Sequence, residues 1–172
     1  VLADNGYEDV AIALLLQETY PSWLYPVTMG ATTIWERWDG IKPDGSTQTP
    51  TMNSYNHYAY GAIGEWMYKE LLGIKLNPNH PGFKKFKISP LFDKNFEHIK
   101  GHHISPYGKI AVDWESKNEQ LHLSVVIPAN TSAEIELPEN RNWKLKSAKK
   151  WQTTTASFEL GSGSYELIGD LK

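Results

Sequence analysis

A single glutamate stands between two tryptophans in residues 30–40, which read GATTIWERWDG. Trp35 and Trp38 flank Glu36, and Arg37 and Asp39 follow closely. A charged side chain enclosed by indoles is an unfavourable element of a packed core. Flat aromatic rings pack well against the apolar faces of pyranose rings, and a carboxylate between them can take up a proton or orient a water molecule. These residue types indicate a sugar cleft in which Glu36 acts on a water or a proton.

A second polar group follows some twenty residues later, in residues 52–58, which read MNSYNHY. Asn56 offers an amide and His57 an imidazole, both suited to hydrogen bonds with sugar hydroxyls. Two other interpretations compete with the sugar cleft. Glu36 could pair with Arg37 or with a distant arginine and close a helix end. The tryptophans and His57 could be ordinary core residues.

These motifs resemble the last part of the catalytic domain of bacterial α-L-rhamnosidases, glycoside hydrolase family 78. The similarity covers the first two thirds of the chain at the level of motifs, and the remainder only as a pattern of strands. The matching runs are NGY (5–7), LLLQE (14–18), YPSW (20–23), GATTIWERWD (30–39), MNSYNHY (52–58), GAIGEW (61–66), PGF (81–83) and SPYG (105–108).

The resemblance implies an α+β chain: the last helices of an (α/α)6 barrel over residues 1–80, followed by an antiparallel β-sandwich over residues 81–172. Members of this family are several times longer than 172 residues, so much of the barrel would precede residue 1. The start at Val1, without Met or a signal pattern, agrees with a piece of a longer protein. The implied partners are a rhamnose-containing glycoside and the upstream part of the same enzyme.

The resemblance also implies an inverting hydrolase that removes terminal non-reducing α-L-rhamnose. Glu36 matches the glutamate that acts as the general base, and His57 matches a histidine that contacts the rhamnose ring. Trp35, Trp38 and Asn56 are expected to line or support the cleft. The general acid belongs to an earlier motif that has no match here, so we expect the chain alone to be inactive.

Periodicity divides the chain in the same way. Apolar residues at helical spacing predict helices over residues 7–19 and 54–72, with a short helix at residues 35–38 and a loop over residues 39–53. The turn-rich run NPNHPG (77–82) is the predicted domain boundary. Beyond it, alternating apolar residues predict strands of a sandwich, with seven residues turned inward: Ile110, Val112, Leu121, Leu123, Val125, Ile135 and Leu137.

Composition excludes several functions. With 17 basic and 20 acidic residues, the chain has no basic field for nucleic acid. It contains no cysteine, which favours the cytoplasm slightly over secretion without deciding the compartment. No apolar run reaches 18 residues, so no membrane span is expected. We expect no cofactor and no metal site: His102 and His103 are adjacent in a predicted strand and face opposite sides.

A rival hypothesis is a carbohydrate-binding or purely structural β-sandwich module without chemistry. An upstream reading frame encoding a barrel with an acidic motif would decide for the hydrolase.

The helix over residues 54–72 is apolar on both faces, which predicts burial on both sides. If the chain is separated from its barrel, we therefore expect it to bind the upstream part or to self-associate through these helices.

Overall fold

The computed structural model describes residues 1–147 and 150–170. The chain forms two compact units, Val1–Gly64 and Glu65–Lys172. The first is helical and irregular, and the second consists mainly of β-strands. No helix within the described residues is long and apolar enough to cross a membrane. The division after residue 80 remains a prediction about the domains of the whole protein.

The first unit contains helices α1 (Glu8–Leu16) and α2 (Leu24–Thr28), with a 3₁₀ turn at Ala3–Asn5 before them. Glu8 and Asp9 occupy the first turn of α1, where the positive end of the helix dipole favours acidic residues. The predicted helix over 7–19 is confirmed in position but ends earlier, at Leu16. The buried side chains of α1 are those of Ile12 and Leu15, whereas Val10 is 47% exposed.

The predicted short helix at residues 35–38 is wrong, and the predicted helix over 54–72 is confirmed only from residue 59 onward. Residues 35–38 form bends and turns rather than a short helix, and residues 54–58 lie outside any helix. The helical run begins only at a 3₁₀ turn, Ala59–Ala62, and continues as α3 (Ile63–Trp66) and a π-helical turn, Met67–Leu71. The physical reason is that the main-chain N–H groups of Glu36 and His57 bond to the facing segment and are not available for a helical ladder.

Residues 39–53, predicted as a loop, contain ordered structure. Ile41 and Thr47 form an isolated antiparallel bridge. The N–H of Lys42 donates to the carbonyl oxygen of Ser46 at 2.8 Å. Oδ1 of Asp44 accepts hydrogen bonds from the N–H of Ser46 at 2.9 Å and from its hydroxyl at 2.7 Å. This short hairpin returns the chain from Gly40 to the second polar group.

The second unit is a sandwich of two sheets. A four-stranded sheet has the order β1-β2-β6-β9 and a six-stranded sheet the order β3-β4-β5-β10-β7-β8. The strands are β1 (Ile74–Leu76), β2 (Lys85–Ile88), β3 (His98–Ser105), β4 (Gly108–Lys117), β5 (Gln120–Ile127), β6 (Ser132–Glu136), β7 (Trp143–Ser147), β8 (Lys150–Thr154), β9 (Ser157–Leu160) and β10 (Gly163–Asp170).

The sandwich core lies between the inner faces of these sheets. Every one of the seven side chains predicted to turn inward is confirmed, none being more than 7% exposed. They belong to one cluster that also holds Trp114 and Trp143. Strict alternation of buried and more exposed residues along β4 and β5 explains why the period predicted this face. One feature differs from an all-antiparallel sandwich: β2 and β6 pair in parallel.

Candidate active site

The two polar segments that carry the candidate site pair directly with each other. The N–H of Glu36 donates to the carbonyl oxygen of Ser54 at 2.8 Å, and the N–H of His57 donates to the carbonyl oxygen of Ile34 at 2.8 Å. Two side-chain bonds extend the pairing: Thr33 Oγ1 donates to the Tyr55 carbonyl, and Arg37 Nε donates to the Met52 carbonyl at 3.2 Å. These bonds therefore fix the positions of the Glu36 and His57 main chains relative to each other.

One carboxylate oxygen of Glu36 is held by the main chain. The N–H of Ser54 donates to Oε2 of Glu36 at 2.8 Å. Within the described residues Glu36 forms no ion pair, and the Arg37 guanidinium points to the Met52 carbonyl instead. The alternative of a Glu36–Arg37 pair therefore finds no support. A single main-chain N–H thus fixes the direction of the Glu36 carboxyl group.

Trp35 and Trp38 occupy different environments. Trp35 is only 5% exposed, and its ring meets the Tyr55 ring edge-on, with centroids 5.4 Å apart. Trp35 is thus a buried residue packed against Tyr55. Trp38 is partly exposed and stacks on Tyr60, with centroids 4.6 Å apart and an angle of 23°. Its Nε1 is buried with no hydrogen-bond partner among the described residues. Trp35, Trp38 and Tyr60 also line a small pocket of about 40 Å³.

His57 and Asn56 precede the 3₁₀ turn at Ala59. The imidazole of His57 lies parallel to the Tyr58 ring, with centroids 5.1 Å apart. The N–H of Ala59 approaches its Nδ1 at 3.3 Å. A hydrogen bond accepted at Nδ1 leaves Nε2–H as the donor available to a hydroxyl. Asn56 is exposed, and its main-chain N–H donates to Ser54 Oγ at 3.2 Å.

Sequence reasoning missed a cluster around the Gly40 carbonyl oxygen. This oxygen accepts hydrogen bonds from Asn53 Nδ2 at 3.0 Å, from the Tyr55 hydroxyl at 3.1 Å and from the Gln48 N–H at 3.1 Å. The available signal was the pair Asn53 and Tyr55 on either side of Ser54. The structure uses both side chains to hold the main chain at Gly40.

Two histidines of the sandwich, His98 and His103, contact neighbouring side chains. Nε2 of His98 lies 2.8 Å from Oδ1 of Asp113, and Nζ of Lys100 lies 2.7 Å from Oδ2. His103 packs against the ring of Phe83 at a centroid distance of 4.5 Å. Within residues 1–147 and 150–170, no group of three or more His, Cys, Asp or Glu side chains is placed to hold a metal ion.

Residues 1–71 match the family model described as the bacterial alpha-L-rhamnosidase 6 hairpin glycosidase domain. Residues 73–152 match the model of the bacterial alpha-L-rhamnosidase C-terminal domain. The chain belongs to the bacterial α-L-rhamnosidase family. It spans only about a sixth to a fifth of the length of the curated relatives it matches. Its match to the C-terminal domain model shows that it corresponds to a C-terminal part of these proteins.

Curated α-L-rhamnosidases from two organisms are similar to this chain in sequence. An α-L-rhamnosidase of Streptomyces avermitilis is 40% identical over 169 residues, which are 96% of this chain and 16% of the relative. One from Formosa agariphila is 47% identical over 146 residues, which are 85% of this chain and 16% of the relative.

Solved rhamnosidase structures share the fold. The crystal structure of the Streptomyces avermitilis α-L-rhamnosidase complexed with L-rhamnose superimposes with a TM-score of 0.84 at 39% identity, covering 97% of this chain and 16% of that one. Native α-L-rhamnosidase from Aspergillus terreus gives a TM-score of 0.80 at 32% identity, covering 96% of this chain and 18% of that one.

Proposed function

We propose that this chain is the C-terminal part of an inverting α-L-rhamnosidase and that Glu36 is its general base. The observation that carries the proposal is the geometry of Glu36. Its Oε2 is held by the Ser54 N–H at 2.8 Å, and it forms no ion pair within the described residues. A carboxylate fixed in this way can accept a proton from water without first breaking a salt bridge.

In the proposed reaction, Glu36 takes a proton from a water molecule as the water oxygen attacks the anomeric carbon of rhamnose. The glycosidic C–O bond breaks, and its electron pair leaves with the aglycone oxygen. A carboxylic acid in the upstream part protonates that oxygen. The two carboxyl groups of an inverting glycosidase stand roughly 6.5–9.5 Å apart, which leaves room for the water. The chain thus supplies the base but not the acid.

The remaining site residues receive supporting roles. His57 Nε2 donates to a rhamnose hydroxyl, an assignment supported by the contact of its Nδ1 with the Ala59 N–H. Trp35, packed on Tyr55, holds the backbone beside Glu36, while Trp38 on Tyr60 forms part of the cleft wall. Asn56, exposed next to His57, contributes an amide to the rim.

We further propose that the helices of residues 1–80 complete an (α/α)6 barrel whose other helices lie upstream, with residues 81–172 forming the sandwich domain. The support is the apolar surface of the first unit. Eleven large hydrophobic side chains of residues 1–64 are exposed: Val1, Leu2, Tyr7, Val10, Leu16, Tyr20, Val27, Ile34, Met52, Tyr55 and Tyr58. Large exposed apolar patches on a soluble protein usually mark an interaction site. Without the upstream part, the same surface would drive self-association.

The anomeric configuration of the first product tests the proposal. The full-length enzyme is incubated with an aryl α-L-rhamnoside, and ¹H NMR identifies the rhamnose anomer released before mutarotation. Initial β-rhamnose supports inversion. Initial α-rhamnose would overturn the inverting mechanism. Absence of hydrolysis by the full-length enzyme would favour the rival, a non-catalytic carbohydrate-binding or structural module.

A further inference from the structure

The Gly40 carbonyl oxygen is a convergence point for three donors. Asn53 and Tyr55 both reach it with their side chains, at 3.0 and 3.1 Å, and Asn53 Nδ2 also donates to the Tyr55 hydroxyl at 3.1 Å. Asn53, Tyr55 and Gly40 therefore form a closed triangle of hydrogen bonds, which we call the Gly40 latch. It closes the hairpin of residues 39–53 at its base.

The latch is tightly packed. A Cβ atom added at Gly40 would lie 3.1 Å from the Trp35 ring, 3.2 Å from Asn53 Oδ1 and 3.2 Å from the Tyr55 ring. Oδ1 of Asn53 is buried and has no hydrogen-bond partner among the described residues. A buried carbonyl oxygen without a partner carries a desolvation cost. The amide is thus oriented for its two donor bonds even though its own oxygen is left unpaired.

Ser54 lies between the two latch residues, and its main chain makes both contacts with Glu36. Its N–H donates to Glu36 Oε2, and its carbonyl oxygen accepts from the Glu36 N–H, each at 2.8 Å. Pinning residues 53 and 55 to one carbonyl oxygen restricts the peptide groups on both sides of Ser54. The direction of the Glu36 carboxylate consequently depends on the latch.

We propose that Asn53 and Tyr55 are positioning residues that set the orientation of the Glu36 carboxylate through the main chain of Ser54. This inference rests on the proposed role of Glu36 as the base. Neither side chain needs to touch the substrate for this role. Their effect falls on the proton transfer, because a displacement of about 1 Å at a reacting group can cost roughly 10²-fold in rate.

Two shape-preserving variants of the full-length enzyme test the inference. Tyr55→Phe keeps the ring against Trp35 and removes only the hydroxyl. Asn53→Asp keeps the side-chain shape and places a carboxylate oxygen against the Gly40 carbonyl. We expect kcat to fall by about 10- to 100-fold in each, with KM changing less than about threefold and the melting temperature of Tyr55→Phe close to that of the parent. Tyr107→Phe, at an exposed position in the β3–β4 turn of the sandwich, is the matched control.

The double variant adds a second readout. If both residues act through one latch, Asn53→Asp combined with Tyr55→Phe lowers kcat no further than the worse single change, because coupled residues are not additive. Unchanged kcat in both single variants would overturn the inference, as would a parallel loss of kcat and melting temperature without any split from KM. Glu36→Gln separates the two proposals. If it stays fully active, the base assignment fails; if it is inactive while the latch variants are normal, only the latch fails.

Discussion

Ser54 and Glu36, eighteen residues apart, hold each other through two hydrogen bonds of 2.8 Å, one from the Ser54 N–H to Glu36 Oε2 and one from the Glu36 N–H to the Ser54 carbonyl. The carboxylate is thus oriented by a peptide group rather than by a side chain. The Ser54 N–H fixes the direction of the carboxyl group without a charged partner.

Glu36→Gln in the full-length enzyme should lower kcat by about 10²- to 10⁴-fold, the usual contribution of a general base. The amide oxygen of the substituted side chain can still accept the Ser54 N–H, so the segment should keep its place and KM should change little. Steady-state kinetics on an aryl α-L-rhamnoside measure both constants. Glu119→Gln, an exposed glutamate in the β4–β5 turn, is the control and should behave like the parent. A kcat within about twofold of the parent would remove Glu36 from the role of base.

The pairing of residues 33–37 with residues 52–57 also shows where sequence reasoning fails. The apolar spacing after Ser54 favours a helix, but His57 and Ser54 donate their N–H groups to Ile34 and Glu36. Such bonds join residues about twenty positions apart, and local periodicity contains no information about them. The residue types suggested that the two segments act together, and the structure joins them, but by a pairing of main chains that no pattern indicated.

The strands of the sandwich were predictable because their signal is local. Ile110, Val112 and Trp114 alternate with less buried residues, and a strand with one buried face must show that period. The pairing of strands is harder to predict from the sequence, because paired residues can lie far apart along the chain. In the parallel contact of β2 with β6, for example, Phe86 pairs with Ala133. Strand β1 was missed because its three residues are too few to establish a period.

His57→Ala should raise KM more than it lowers kcat. The imidazole is assigned to a hydrogen bond with a sugar hydroxyl, which forms in the ground state as well as in the transition state, and losing such binding raises KM. Inhibition by free L-rhamnose should weaken in parallel, which a competition assay measures. His80→Ala, an exposed histidine in the turn before β2, serves as the control. A pure loss of kcat with unaltered rhamnose affinity would contradict the assignment.

Gly73→Ala should destabilise the second unit strongly. Gly73 has φ +73°, and an added Cβ would lie 2.2 Å from the Pro90 nitrogen and 2.3 Å from the Ser89 carbonyl carbon. The left-handed conformation costs roughly 1–2 kcal/mol for a residue with Cβ, and overpacking adds about 1–3 kcal/mol. Urea denaturation of the full-length enzyme should show an earlier transition. Gly161→Ala, which meets nothing within 4 Å, should leave that transition in place.

The Asp113 carboxylate should make stability fall in acid. Partial burial raises the pKa of Asp113, but hydrogen bonds from Lys100 and His98 outweigh it and hold the pKa below the ordinary value of 3.8. A carboxyl group with a lowered pKa in the folded state contributes stability that is complete above its unfolded value and is lost as pH falls through the folded one.

The comparison of Asp113→Asn with the parent measures this contribution. We expect the variant to melt at a lower temperature near pH 7 and the difference to shrink as the pH falls below about 4. The hydrogen bond to Asp113 raises the pKa of Lys100 above its ordinary value of 10.5. The stability that Lys100 contributes is therefore lost only as the pH rises above 10.5, and it does not alter the change expected in acid. A melting-temperature difference that stays constant from about pH 7 to about pH 3 would contradict the prediction.

The isolated chain should bind the upstream part of its enzyme, because the exposed apolar side chains of residues 1–64 need a cover. Val10 on α1 is 47% exposed and Val27 on α2 is 58% exposed. At roughly 25 cal/mol per Å² of apolar surface, leaving several such residues in water forfeits many kcal/mol.

Analytical ultracentrifugation of the chain alone should show association that increases with concentration. Addition of the separately produced upstream part should replace it with a one-to-one complex. Val10→Asp should weaken that complex, while Ile104→Asp, at another exposed apolar position on β3 of the sandwich, controls for the added charge. A chain that stays monomeric at every concentration and does not bind the upstream part would refute the proposal that its helices complete a barrel.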